Sequence, residues 1–199
     1  MHLSADASRI KSLLEGRDPT PQLTPSEQWR PDLTTHLAAA TDDDMLAAPP
    51  RDPAMARAVR SGLLLWNDAL DLAHGLAMSE SANDELARRT LDYWHGIMHR
   101  REPDYPNSKY WFRRVDRHPV FPAVLAAAKA EAEEAPDDEA GRVILTADEW
   151  DPFAFIDLCE RHETTAGRTD ALLRAVQVAE IVALLEFSVH EAAGAAAER

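Results

Sequence analysis

The sequence predicts an all-α protein: antiparallel helical hairpins, repeat-like, packed around a central C-terminal helix. Three observations carry this. The apolar residues, 45% of the chain, contain few β-branched side chains and many alanines, and alanine loses no side-chain entropy in a helix. Asp-Pro and Asn-Asp pairs recur where helical spacing begins, as N-caps and first-turn prolines do. The last long segment is apolar on nearly every side, as a central or interface helix is.

Ser4 to Glu15 reads as a short helix, with Ile10, Leu13 and Leu14 on one side. Pro19, Pro21, Pro25, Pro31, Pro49, Pro50 and Pro53 follow, seven of the thirteen prolines. Proline removes a donor and restricts its predecessor, so residues 1–52 form the helix and an extended strap. A short helix from Leu33 to Ala40 interrupts the strap, and Trp29, Leu33 and Leu37 demand burial.

The helical domain spans residues 53–199. Asp52-Pro53 opens a helix to Trp66. Asn67-Asp68 turns, with Asp68 capping a helix to Ser79. Asn83-Asp84 opens a helix ended after Arg101 by Pro103, and Pro106-Asn107 opens one to Arg117. Pro119 and Pro122 open Val120–Glu134. The acidic run Glu133, Glu134, Asp137, Asp138 and Glu139 reads as a solvated loop, as does Asp42-Asp43-Asp44. Val143-Ile144-Leu145 is the best extended piece, and Thr146 with Glu149 forms a capping-box pattern. Asp151-Pro152 opens a helix through Glu163, and Thr169–Ala193 is the last.

Composition bounds function. A net charge of −14 disfavours nucleic acid and anionic membranes unless basic residues are concentrated. No run of 18 apolar residues exists, and the N-terminus lacks the apolar core of a signal peptide. Cytoplasmic location is the default expectation. Cys159, the single cysteine, sits among Phe155, Ile156 and Leu158 and reads as a small buried apolar residue. No glycine-rich phosphate loop, nucleophile elbow or Cys-x-x-Cys pair is present.

Residues 53–119 contain two tandem hairpins whose glycines, Gly62 and Gly96, lie 34 residues apart. The second places Tyr105, Ser108 and Phe112 nine, twelve and sixteen residues after Gly96, and Pro119 closes it. This pattern resembles the tetratricopeptide repeat. The string WHGIMHRREPDYPNSKYWFRRV also resembles a box in uncharacterised bacterial proteins. The likeness implies helical hairpins and a module that binds a peptide or protein partner, and it transfers no catalytic residue. Residues 120–199 supply the remaining helices, and the last is also a candidate homodimer surface.

One constellation carries chemistry. His95 and His99 are spaced i, i+4, and Glu102 follows, so the three project within a sector of about 60°. Leu91, Trp94 and Met98 form the adjacent apolar stripe. Two such imidazoles can share zinc or another divalent metal, although no cofactor is required by the rest of the sequence. Gly96 occupies the place of the zincin glutamate, which excludes that enzyme class. His74 is a candidate third ligand. Otherwise the imidazoles need hydrogen-bond partners from Asp104, Tyr105, Asn107 or Ser108. Arg100 to Arg117 is locally basic. Arg100, Arg113 and Tyr105 therefore join the set for an alternative reading, a small enzyme or a protein binding a small anionic ligand.

Overall fold

The computed structural model describes residues 2–78 and 84–194. Among them are ten α-helices and one 3₁₀ turn, with no strand and a single isolated bridge between Leu3 and Leu46. The all-α class is as the sequence predicts. No described helix is long and apolar enough to cross a membrane.

The N-terminal segment holds α1 (Ala5–Glu15), α2 (Pro31–Ala39) and the 3₁₀ turn Asp43–Met45. Ser4 caps α1 by accepting from the Ala7 amide. Leu33 and Leu37 are buried and Trp29 partly so. Asn67 ties the strap down: its carbonyl accepts from the Trp29 amide, and its side-chain amide donates to Arg30 and Thr34. The aspartates at 42–44 are not idle. Asp44 accepts from Thr41, and Asp42 pairs with Arg57 and Arg60.

The body follows as α3 (Pro53–Trp66), α4 (Leu70–Ala77), α5 (Glu85–Arg101), α6 (Tyr105–Val115), α7 (Phe121–Glu133), α8 (Glu139–Thr146), α9 (Pro152–His162) and α10 (Arg168–Ala193). Asp52, Asp84, Asp104 and Asp151 each accept a backbone amide of the turn they open. Such caps each contribute about 1 kcal/mol. Ser79 and Asn83, expected at helix ends, lie outside the described residues. The heart of the body is α10, which packs against α3, α7, α8 and α9. Its Leu173, Val176, Ile181, Leu184 and Leu185 are fully enclosed.

Three local expectations are corrected. Val143-Ile144-Leu145 is helical, within α8, because Asp138 caps the Ala140 and Gly141 amides and starts the helix at Glu139. The acidic loop is therefore in part a helix cap. Thr146 ends α8 and returns its hydroxyl to the Arg142 carbonyl, so it forms no capping box with Glu149. Asp68 does not cap α4. It sits at φ 62° and its carboxylate pairs with Arg17 and Arg101, both nearly sealed from water.

Two glycines set how closely the site-bearing helices approach. A Cβ at Gly62 would lie 2.6 Å from the Trp94 ring, and one at Gly96 would lie 2.7 Å from Phe112. Gly62 thus seats α3 on α5, and Gly96 seats α5 on α6. The Ser108 hydroxyl donates to the Gly96 carbonyl at 2.7 Å and fixes the second contact.

Candidate metal centre

Three imidazoles meet where α4 crosses α5. His95 and His99 share one face of α5, as their spacing predicts, and His74 comes from α4. One ligand atom from each lies within 4.8 Å of the others. Ring centroids are 4.6 Å apart for His74–His95, 5.3 Å for His74–His99 and 4.8 Å for the nearly parallel His95–His99 pair. His95 is completely buried, His99 is 6% exposed and His74 is half-buried.

Neither nitrogen of His95 has a hydrogen-bond partner. None of the partners expected from the sequence reaches it. Ser108 is spent on Gly96 and Asp104 on the Asn107 amide. The Tyr105 hydroxyl belongs to a different neighbourhood, beside Glu163, Glu160 and Cys159. Instead the Trp111 ring stacks on His95 at 3.7 Å and 17°. Leaving a buried polar atom unpaired costs about 1–3 kcal/mol, and His95 has two.

His99 is oriented by Glu102, whose carboxylate lies 3.1 Å from Nδ1. The carboxylate accepts, so Nδ1 carries the proton and Nε2 keeps its lone pair. Asn107 approaches the same ring, its amide nitrogen 3.0 Å from Nε2 and 3.4 Å from Nδ1. Near-equidistance from both ring nitrogens places the amide over the imidazole face, since a donor on the Nε2 lone pair would be much farther from Nδ1. The Nε2 lone pair is thus unclaimed.

Burial keeps His95 and His99 neutral. Burial, reinforced by His99, His74 and Arg114, holds His95 down to about 3. Burial also lowers His99, against the opposing pull of Glu102. Neutral imidazole is the form that binds metal.

The remaining sequence candidates lie elsewhere. Arg100 is buried and paired with Glu180 of α10, which also accepts from the Tyr93 hydroxyl; its guanidinium lies 4.5 Å from the Phe155 ring. It is closed to an anionic ligand. Arg113 is exposed and lies two residues, about 200° of helical rotation, from Trp111. It faces away from the imidazoles, as Tyr105 does relative to Asn107. Three other basic residues of the stretch pair with acids: Arg101 with Asp68, Arg114 with Asp92, and Lys109 with Asp157 and Glu160. Trp111 is a site neighbour that the sequence reading missed. The available signal was its i+4 spacing from Asn107, which places both on one face of α6.

Cys159 is buried as expected, and burial pushes its thiol up to about 12, so it is no nucleophile at neutral pH. Comparison with known proteins brings no match: no protein-family model, no curated protein and no solved structure matches the chain.

Proposed function

We propose that this protein binds a divalent transition-metal ion through His74, His95 and His99. The observation that carries the reading is His95, a fully buried imidazole with two unpartnered nitrogens, facing two further imidazoles. The donor set suits zinc, copper, nickel or cobalt. Glu102 holds the His99 tautomer, as carboxylates behind metal-bound histidines do. Tetrahedral coordination at metal–nitrogen distances of about 2.0–2.1 Å places nitrogens about 3.4 Å apart, so the widest pair, at 4.8 Å, closes by small side-chain rotations. The anionic-ligand alternative loses its support, because Arg100 is sealed and Arg113 faces away.

Titration of the metal-free protein with Zn(II) is expected to show one tight site. A concentration of about 100 Kd should stabilise the fold by about 2.7 kcal/mol, which a chelator reverses. His95→Ala and His74→Ala are expected to remove the response. A wild-type protein with no zinc-dependent stabilisation, or variants that bind as tightly, would overturn the proposal.

A second reading retains the expected partner protein, at a different surface. An apolar groove of about 800 Å³ runs between α7 and α10, with Ala123, Ala127, Val178, Val182 and Phe187 along it and Glu131 and Glu186 at its edge. Its shape suits an amphipathic helix, and its acidic edge favours a basic one. The same charge disfavours a second copy of this chain, whose net charge is −14. A lysine-rich amphipathic helix should bind wild type and fail on Ala127→Trp, which fills the groove. Equal binding to both would remove this reading.

A further inference from the structure

Resting on the metal reading above, we infer that Asn107 supplies the fourth ligand through its side-chain oxygen. The ion would then sit in a closed site that fastens α6 to α4 and α5, and would act as a structural or sensing clamp.

Trp111 covers His95, and Asn107 lies over His99. His95 and His99 have almost no exposure, and His74, Asn107 and Trp111 around them are half-buried. A catalytic ion needs an open position for water or substrate; here Asn107 stands close enough to that position to fill it by a side-chain movement. Glu102 is engaged on Nδ1 of His99, on the ring edge away from the metal-facing Nε2, and reaches an ion only by releasing that bond. Asn107 is the α6 residue with an oxygen donor whose side chain lies against one of the imidazoles.

Its amide is well suited to the exchange. Without metal it turns N–H toward the electron-rich imidazole face. Rotation of the carboxamide by a half-turn replaces nitrogen with oxygen at nearly the same position, because the two ends are almost isosteric. An ion held by Nε2 lies on the ring's edge rather than its face, so the oxygen must also shift by about 2 Å to reach bonding distance. The backbone under it is fixed: Asp104 caps the Asn107 amide at 3.3 Å, and Ser108 is bonded to Gly96. The movement is therefore confined to the side chain, and the metal draws no helix away from its packing.

Cobalt(II) tests this, since its visible absorption reports coordination number and donor type. The full-length wild-type protein is expected to give the intense bands of a four-coordinate ion. Asn107→Ala should change those bands and weaken binding at least about tenfold. Asn107→Asp, which supplies an anionic oxygen and suits the first turn of a helix, should bind more tightly with four-coordinate bands retained. Metal should also slow amide exchange at the start of α6 in wild type and not in Asn107→Ala. Wild type binding cobalt with Asn107→Ala unchanged in spectrum and affinity would overturn the Asn107 assignment alone. Wild type binding no cobalt would overturn the metal reading beneath it.

Discussion

His118 and His95 are both buried histidines of the same helical body, and their ring nitrogens meet opposite fates. His118, 4% exposed between α6 and α7, uses both. Its Nδ1 accepts from the Val120 amide at 3.2 Å. The Thr90 hydroxyl spends its proton on the Leu86 carbonyl, so it accepts from His118 Nε2, 3.0 Å away. Tyr93, Phe121 and Phe187 pack around the ring. His95 has the same burial and no such partners, only Trp111 and two other imidazoles. Burial alone therefore does not mark a functional histidine. What separates the two is an unsatisfied pair of nitrogens in company with other ligand atoms, and that is the feature on which the proposed metal site rests.

The largest effect is expected at His118. His118→Ala deletes a packed aromatic ring and leaves the Val120 amide unpaired, and is expected to cost about 3–5 kcal/mol. Urea unfolding measures the loss. Zinc should stabilise this variant by as much as it stabilises wild type, since none of the three imidazoles is touched. Loss of the zinc response together with stability would mean that the two regions are not independent.

Acid provides the next largest effect. Burial, with Arg89 nearby, holds His118 down to about 4, whereas an unfolded chain has histidine near 6.5. The neutral form is the one that fits: a second ring proton would confront the Val120 amide. As pH falls below about 6.5 the unfolded chain gains a proton that the folded chain refuses until about 4. Stability from this group is complete above about 6.5, declines through that window and is flat below it. The shift corresponds to about 3 kcal/mol at most. His118→Gln should show a shallower decline over pH 6.5 to 4 than wild type. An equal slope would mean that His118 is not the source.

How much of this contrast was legible in the sequence depends on distance along the chain. Caps at Asp52, Asp84, Asp104 and Asp151 answer amides two or three residues ahead, so local pattern suffices. The α8 cap at Asp138 is equally local, but the β-branched Val143-Ile144 run suggested extension and outweighed it. Asp68 was misread because its partners, Arg17 and Arg101, lie 51 and 33 residues away. The i, i+4 geometry of His95 and His99 was readable from helical rotation. The arrival of His74 was not, because it depends on how α3 seats on α5, where Gly62 admits Trp94. Arg100 and Arg113 looked alike in one basic stretch. Only the fold sends the first inward to Glu180 and leaves the second in water.

The smallest effect is also the sharpest. His95→Phe keeps a ring against Trp111 and removes two polar atoms that have no partner. If those atoms are retained for a ligand, the metal-free protein carries their desolvation cost with no return, and phenylalanine relieves it. The variant is expected to be more stable than metal-free wild type by about 1 kcal/mol, a fraction of the desolvation penalty because the larger ring strains its neighbours. Excess zinc should then reverse the order, since wild type gains stability and the variant does not. The same substitution at His118 should destabilise with or without zinc, because there the nitrogens are satisfied and the ring fits. Thermal unfolding of the three proteins, each with zinc and with chelator, measures both signs. A His95→Phe variant less stable than wild type in chelator would show that the His95 nitrogens find partners in the folded protein, and would return that residue to the structural class of His118.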